Sequence, residues 1–223
     1  MASGIWQVRI GDEGYPYLLG QISSPPKVLY VKGELKREDS YALAVVGTRR
    51  PTSYGKMVAV ELVRGLVRYG LTIVSGLARG IDGVAHRAAL GAGGRTIAVL
   101  AHGLDRVYPP EHQALAETIV KQGALVSEYQ VGTGISQEQF PARNRIIAGL
   151  SLGVLVVEGA SRSGTKITAR WAAEYGREVF AVPGPVGGAM SQGPAELIQT
   201  GAKLVTRVED ILEELPKKKP LVF

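Results

Sequence analysis

The chain has 223 residues, 45% hydrophobic and 21% charged, the proportions of a soluble globular protein with one substantial core. It contains no cysteine, which excludes disulfides, zinc-thiolate sites, iron–sulfur clusters and thiol nucleophiles. The 26 basic residues outnumber the 20 acidic ones for a formal charge of +6, which favours anionic partners. Met1–Trp6 has neither a basic nor an apolar leader region, and no stretch approaches the roughly 20 apolar residues of a bilayer span. A soluble, cytoplasmic protein is expected.

Residues 1–40 read as an extended lead-in, punctuated by Tyr15-Pro16 and Ser23-Ser24-Pro25-Pro26, that adds one or two strands (one at Val28–Val31) to a following core. From Tyr41 the pattern becomes regular. Nearly continuous apolar runs at Ala42–Val46, Leu71–Val74, Thr96–Leu100, Ala124–Val126, Val154–Val157, Val179–Val182 and Lys203–Val205 read as strands covered on both faces. Between the first two, Val58, Leu62 and Leu66 recur at helical spacing, entered through Pro51-Thr52-Ser53 and stopped by Gly70. Further helices are expected at 82–90, 110–122, 141–150, 165–175, 194–200 and 208–215. This alternation predicts an α/β fold, a Rossmann-like doubly wound and mostly parallel sheet over residues 41–215, with 1–40 packed on it as an N-terminal strand extension. Val208–Leu215 holds four acids and no base, so the remainder is more basic than the average; Pro216-Lys217-Lys218-Lys219-Pro220 reads as a basic tail over 216–223.

Four arginine-bearing turns, three of them with glycines, stand at the ends of these strands or at the head of a helix. In the first, Gly47-Thr48-Arg49-Arg50-Pro51, the middle glycine of a G-x-G-x-x-G fingerprint is missing and two arginines fill the space of a dinucleotide. Arg49 and Arg50 read as phosphate contacts or as solvated turn residues. The second turn sets the Ser75 hydroxyl and the Gly76 N–H at a strand end; Asp82 and His86, four apart on the next helix, read as structural rather than as an acid–base pair. The three histidines show no metal-ligand spacing.

In Phe140-Pro141-Ala142-Arg143-Asn144-Arg145 the proline suits a first helical turn. Arg143 and Arg145, two apart, point about 200° from one another, so one meets a ligand and the other pairs with protein, Glu128 or Glu158. Phe140, just before that helix, is either a hydrophobic staple or a stacking platform for a base. The last turn, Gly159-Ala160-Ser161-Arg162-Ser163-Gly164, has the glycine spacing of a Walker A loop, but Thr165 intervenes before Lys166 and rotates the lysine by about 100°. That spacing argues against an ATPase, while the N–H groups of Ser163, Gly164 and Thr165 still make a seat for one phosphate.

Five ordered stretches, VVGTRRPTSYG (45–55), SGLARGIDGVAHRAAL (75–90), TIAVLAHGLDRVYP (96–109), FPARNRIIAGLS (140–151) and VFAVPG (179–184), together resemble the DNA-processing protein A family (DprA, or Smf). The resemblance spans about Tyr15 to Leu215. It implies a Rossmann-like core that binds single-stranded DNA without a cofactor, dimerises and helps load the RecA recombinase in natural transformation. Carried over by motif, Arg49 and Arg143-Asn144-Arg145 would contact phosphates, and Ser75, Gly76, Ser163 and Gly164 would line the pocket. Lys166 stands where the family's Ser-Gly-Ser-Leu-Ile-Thr pattern has an apolar residue, either as an added phosphate contact or as a surface lysine. Members of that family often carry a helical N-terminal and a winged-helix C-terminal domain, and neither is expected within these 223 residues. Two other readings use the same turns: a nucleotide phosphoribohydrolase of the lysine-decarboxylase-like group, whose glutamate is replaced here by Thr168, and a small-nucleotide sensor.

Overall fold

The computed structural model describes residues 4–217; residues 218–223, most of the basic tail, lie outside the described residues. One sheet of nine strands runs in the order β1-β2-β6-β5-β4-β3-β7-β8-β9. The strands are β1 (Ile5–Arg9), β2 (Val28–Gly33), β3 (Ala42–Val46), β4 (Thr72–Ser75), β5 (Thr96–Val99), β6 (Ala124–Ser127), β7 (Gly153–Val156), β8 (Glu178–Ala181) and β9 (Lys203–Leu204). From β6 to β9 every pairing is parallel. The lead-in supplies β1 and β2, which extend the sheet antiparallel beyond β6.

The helices are α1 (Tyr17–Gly20), α2 (Ser53–Arg68), α3 (Ile81–Gly91), α4 (Gln113–Gln122), α5 (Gln139–Gly149), α6 (Gly164–Glu174), α7 (Gln192–Gln199) and α8 (Glu209–Leu212). Side chains alternate across the pleat, so each of β3 to β8 feeds two cores. Ala42, Ala44, Val154 and Val156 pack with α1, α5 and α6, whereas Leu43, Val45, Leu155 and Val157 pack with α2, α3 and α8. A third cluster seats α4 on β5 and β6 through Ala116, Ile119, Ala98 and Leu125. Double coverage is why these strands read as unbroken apolar runs.

Winding proceeds from β3 outward to β4, β5 and β6, then returns to β7 on β3's other side and continues to β8 and β9. The carboxyl ends of β3 and β7 therefore flank the point where the winding reverses, the crevice in which open α/β sheets bind ligands. Glu158, 5% exposed, ties the two loops together there. Its carboxylate accepts from the Thr52 N–H (2.9 Å) and hydroxyl (2.6 Å), and its carbonyl accepts from Thr48 N–H (2.8 Å). Thr52 is the N-cap of α2, its hydroxyl oxygen accepting from Gly55 N–H. Gly55 leaves room for the carboxylate, since a Cβ there would meet Glu158 Oε2 at 2.2 Å.

Gly55→Ala is therefore expected to lower stability by about 1–3 kcal/mol through overpacking. By contrast, Gly91→Ala, at an exposed helix end with nothing within 4 Å of the added methyl, should be neutral or gain up to about 1 kcal/mol from helix propensity. Urea unfolding of the two variants checks the opposite signs.

Candidate nucleic-acid interface

At the reversal point lies an open pocket of about 340 Å³. Arg49 and Thr48 come from the loop after β3, Phe140, Arg143 and Asn144 from α5, Ser163 and Gly164 from the head of α6, and Asp82 from α3. Three of the four turns thus meet in one pocket; the second contributes only its flank. The loops are also fixed to each other by hydrogen bonds: Ile81 N–H donates to the Thr48 carbonyl at 3.2 Å, and the Asn144 side-chain Nδ2 to the Gly164 carbonyl at 3.3 Å.

Arg49 takes part in no ion pair among the described residues and sits with its guanidinium 5.4 Å from the centre of the Phe140 ring. Phe140 is the second residue of α5, not a residue before it, and is half-buried beside Tyr108 at 6.2 Å between ring centres. Tyr108, 38% exposed, belongs to one of the family-like stretches, yet no spacing marks it as a neighbour of this ring.

The head of α6 is open to an anion. Its N-cap Ser163 makes no side-chain cap bond, its first turn holds no acid, and Gly164 has nothing within 4 Å of its missing methyl. The Ser163 and Thr165 hydroxyls are 2.5 Å apart. First-turn N–H groups, two hydroxyls and the Arg49 guanidinium together make a seat for one phosphate group.

Ser75 and Gly76 do not line the pocket, and Arg143 lines it as a buried part of its wall. Ser75 is fully buried, its hydroxyl donating to the Val45 carbonyl at 2.7 Å inside the sheet, so it lies beneath the pocket instead of lining it. Gly76 lies there too, its carbonyl accepting from Arg143 Nη1 at 2.7 Å. Arg143 itself is 5% exposed and donates also to the Val99 carbonyl, which staples α5 to the ends of β4 and β5. Burial pulls its guanidinium down to about 10, Asp82 opposing that shift and Arg49 adding to it. Arg143 is thus a fixed positive charge in the pocket wall, not a mobile arm.

Arg145 turns away and grips Glu128 with two 2.7 Å bonds, the protein pairing expected of one member of the arginine couple. Lys166 pairs with Glu196 of α7 at 2.5 Å and lines a different groove, between α6 and β9.

Asp82, which sequence reasoning set aside as structural, is the carboxylate of the pocket wall. Burial raises its pKa, while Arg143 and the Ala78 N–H oppose the rise. His86 is a packing residue, as expected: Nδ1 meets the Thr96 hydroxyl at 2.7 Å, and that hydroxyl donates to the Ile73 carbonyl. Nδ1 must therefore carry the proton, leaving Nε2 buried without a hydrogen-bond partner. Burial, then His112, Arg87 and Arg143, pulls the His86 pKa down to about 3.

A pocket of hydroxyls, helix N–H groups and arginines thus stands at the switch point of a Rossmann-like, doubly wound sheet, an arrangement chemically suited to a phosphate group. The chain belongs to the DNA recombination-mediator protein A family, whose family model matches residues 6–216. It is 47% identical to the DNA processing protein DprA of Bacillus subtilis over 216 residues, 96% of this chain and 73% of that protein. It is 52% identical to the protein Smf of Escherichia coli, over 92% of this chain but only 55% of the relative. Among solved structures, DNA processing protein A of Streptococcus pneumoniae superposes with a TM-score of 0.92 at 43% identity, covering 96% and 75% of the two chains. The Helicobacter pylori protein, described for its unique single-stranded DNA binding mode, gives 0.85 at 30% identity over 96% and 99%. A molybdenum-cofactor binding protein from Rippkaea orientalis, at 17% identity and 0.53 over 77% and 91%, shares the fold alone.

The buried histidine sets an acid-side stability signature. Between pH about 3 and 6.5 the unfolded chain binds a proton at His86 that the native protein does not, so stability falls as pH drops through that window. Asp82, with its raised pKa, works in the opposite sense. In urea titrations from pH 7 to pH 4, His86→Leu should lose less stability than the parent, by up to about 1.4 kcal/mol per pH unit. An unchanged slope would mean that His86 titrates normally.

Proposed function

We propose that this protein binds single-stranded DNA non-enzymatically, gripping backbone phosphates at the β3–β7 pocket, and that it acts as a homodimer in the cytoplasm that helps load the RecA recombinase. The observation that carries the reading is the convergence of Arg49, the open head of α6 and the half-buried Phe140 ring in one pocket. A phosphate seat beside an aromatic ring suits a single strand, whose unpaired bases offer faces for stacking. The single-stranded DNA binding of the Helicobacter pylori relative supports the ligand class. The family's recombination-mediator description supports the recombinase partner. The mass of the free protein in solution and the rate of RecA assembly on single strands with and without it test the dimer and the partner.

A hydrolytic reading has little to work with. Thr168 stands where the phosphoribohydrolase pattern places glutamate, and the wall carboxylate Asp82 already accepts from the Ala78 N–H. Incubation with nucleoside monophosphates should release no free base; robust turnover would replace the binding reading with an enzymatic one.

Arg49→Ala should weaken oligonucleotide binding by roughly ten- to hundredfold, the loss of one charge-assisted phosphate contact. It should also reduce the slope of log affinity against log salt by about 0.7. Arg145→Gln should leave that slope unchanged, because its guanidinium is committed to Glu128. Fluorescence anisotropy at several salt concentrations, with duplex as the weaker-binding control, measures both. Equal slopes for the parent and the Arg49 variant would place the DNA elsewhere.

A further inference from the structure

The 340 Å³ pocket holds only a short stretch of a polymer, which raises the question of where the strand goes when it leaves. The β3–α2 loop that carries Arg49 and the exposed Arg50 runs directly into α2. Lys56, Arg64 and Arg68 of that helix stand at i, i+8 and i+12, within about 120° of one another around its axis. All three are exposed, and none belongs to an ion pair among the described residues. The contrast with α6 is informative, because both of its cations, Lys166 and Arg170, are paired with carboxylates. Side chains held by partners are poor candidates for a new ligand; those of α2 are free.

The same face carries flat or soft apolar surface. Met57 is 60% exposed and Tyr69, at the C-cap, 53%. Val208 closes over Gly65, where a Cβ would meet it at 2.3 Å, and turns the face into one wall of an open groove of about 890 Å³. Two acids, Glu61 and Glu209, stand on the groove; against them are Lys56, Arg64, Arg68 and Arg207, the last already paired with Asp210.

We propose that α2 is a second binding segment for the same single strand, which leaves the pocket past Arg50 and descends the helix along Lys56, Arg64 and Arg68. This rests on the single-stranded DNA reading of the pocket. Three features favour a nucleic acid over an acidic peptide. The face is continuous with the pocket through one short loop. Its cations lie about 12 Å and about 6 Å apart along the axis at 1.5 Å per residue, intervals that two nucleotides and one nucleotide of an extended strand span. Met57 and Tyr69 offer contact surface for bases without any sequence code, the general design of single-strand grooves.

The test compares labelled oligothymidylates of about 6 and about 20 nucleotides, bracketing usual single-module site sizes, on the parent, on Arg64→Gln/Arg68→Gln and on Arg49→Ala. A labelled polyglutamate peptide serves as the protein-like polyanion, and thermal unfolding checks that each variant folds. The parent should bind the longer oligonucleotide more tightly and with a steeper salt slope. The double variant should lose most of that gain, with a slope on the long oligonucleotide lower by about 1.4 for two phosphates, while binding the short one as the parent does. A double variant that keeps the full gain overturns the proposal, as does one that binds both lengths equally less well. Loss of peptide binding with the length gain intact would make α2 a protein-docking face and equally sink it. If Arg49→Ala leaves short-oligonucleotide binding intact while the double variant loses the long-oligonucleotide gain, the pocket reading fails and the α2 segment stands.

Discussion

The buried Glu158 carboxylate is the constraint on which the site depends. It stands one residue beyond the predicted end of the strand paired with β3, and through Thr52 it holds the loop that bears Arg49. A carboxylate 5% exposed is tolerated only if its lone pairs are used, and here the Thr52 amide and hydroxyl use both oxygens. The same threonine caps α2, so a single acid sets the start of a helix, the path of a loop and the spacing between two strand ends. Arg49 can therefore be exposed and yet well placed, its freedom confined to its own side chain.

Two arginines in the pocket show how one residue type serves opposite ends. Arg143 gives its donors to the carbonyls of Gly76 and Val99 and gains rigidity at the expense of reach. It contributes a fixed field in a region shielded from water, where charge acts at longer range than on the surface. Arg49 keeps its donors for solvent and ligand. Asp82 moderates the pair: with its pKa raised by burial and held back by Arg143, it limits how much uncompensated positive charge the wall carries.

Much of this was legible in the chain. The seven runs from Ala42 to Val205 each contain a strand; the inner ones are covered on both faces and need no alternation to be recognised, while β9 is a two-residue edge strand. β1 was not singled out, since Val8 is its one buried residue and an edge strand of that kind leaves little pattern. The Arg143–Arg145 spacing showed that the two must diverge and named Glu128 as one of two partners, but not which arginine would take it. Ser75 and Lys166 were illegible for different reasons. A serine at a strand end looks available until the neighbouring strand's carbonyl claims its hydroxyl. The partner of Lys166 lies 30 residues away on α7, beyond any local rule.

The contact between Arg49 and Phe140 has a consequence for affinity. The guanidinium already rests on a ring, a contact worth about 0.5–1 kcal/mol at an exposed site. The ring covers the flat face of the guanidinium and leaves its in-plane N–H donors open, so the stacking and a charge-assisted bond to an anion are compatible. The same contact holds a long side chain near one orientation, so less conformational freedom remains to be lost when such a bond forms.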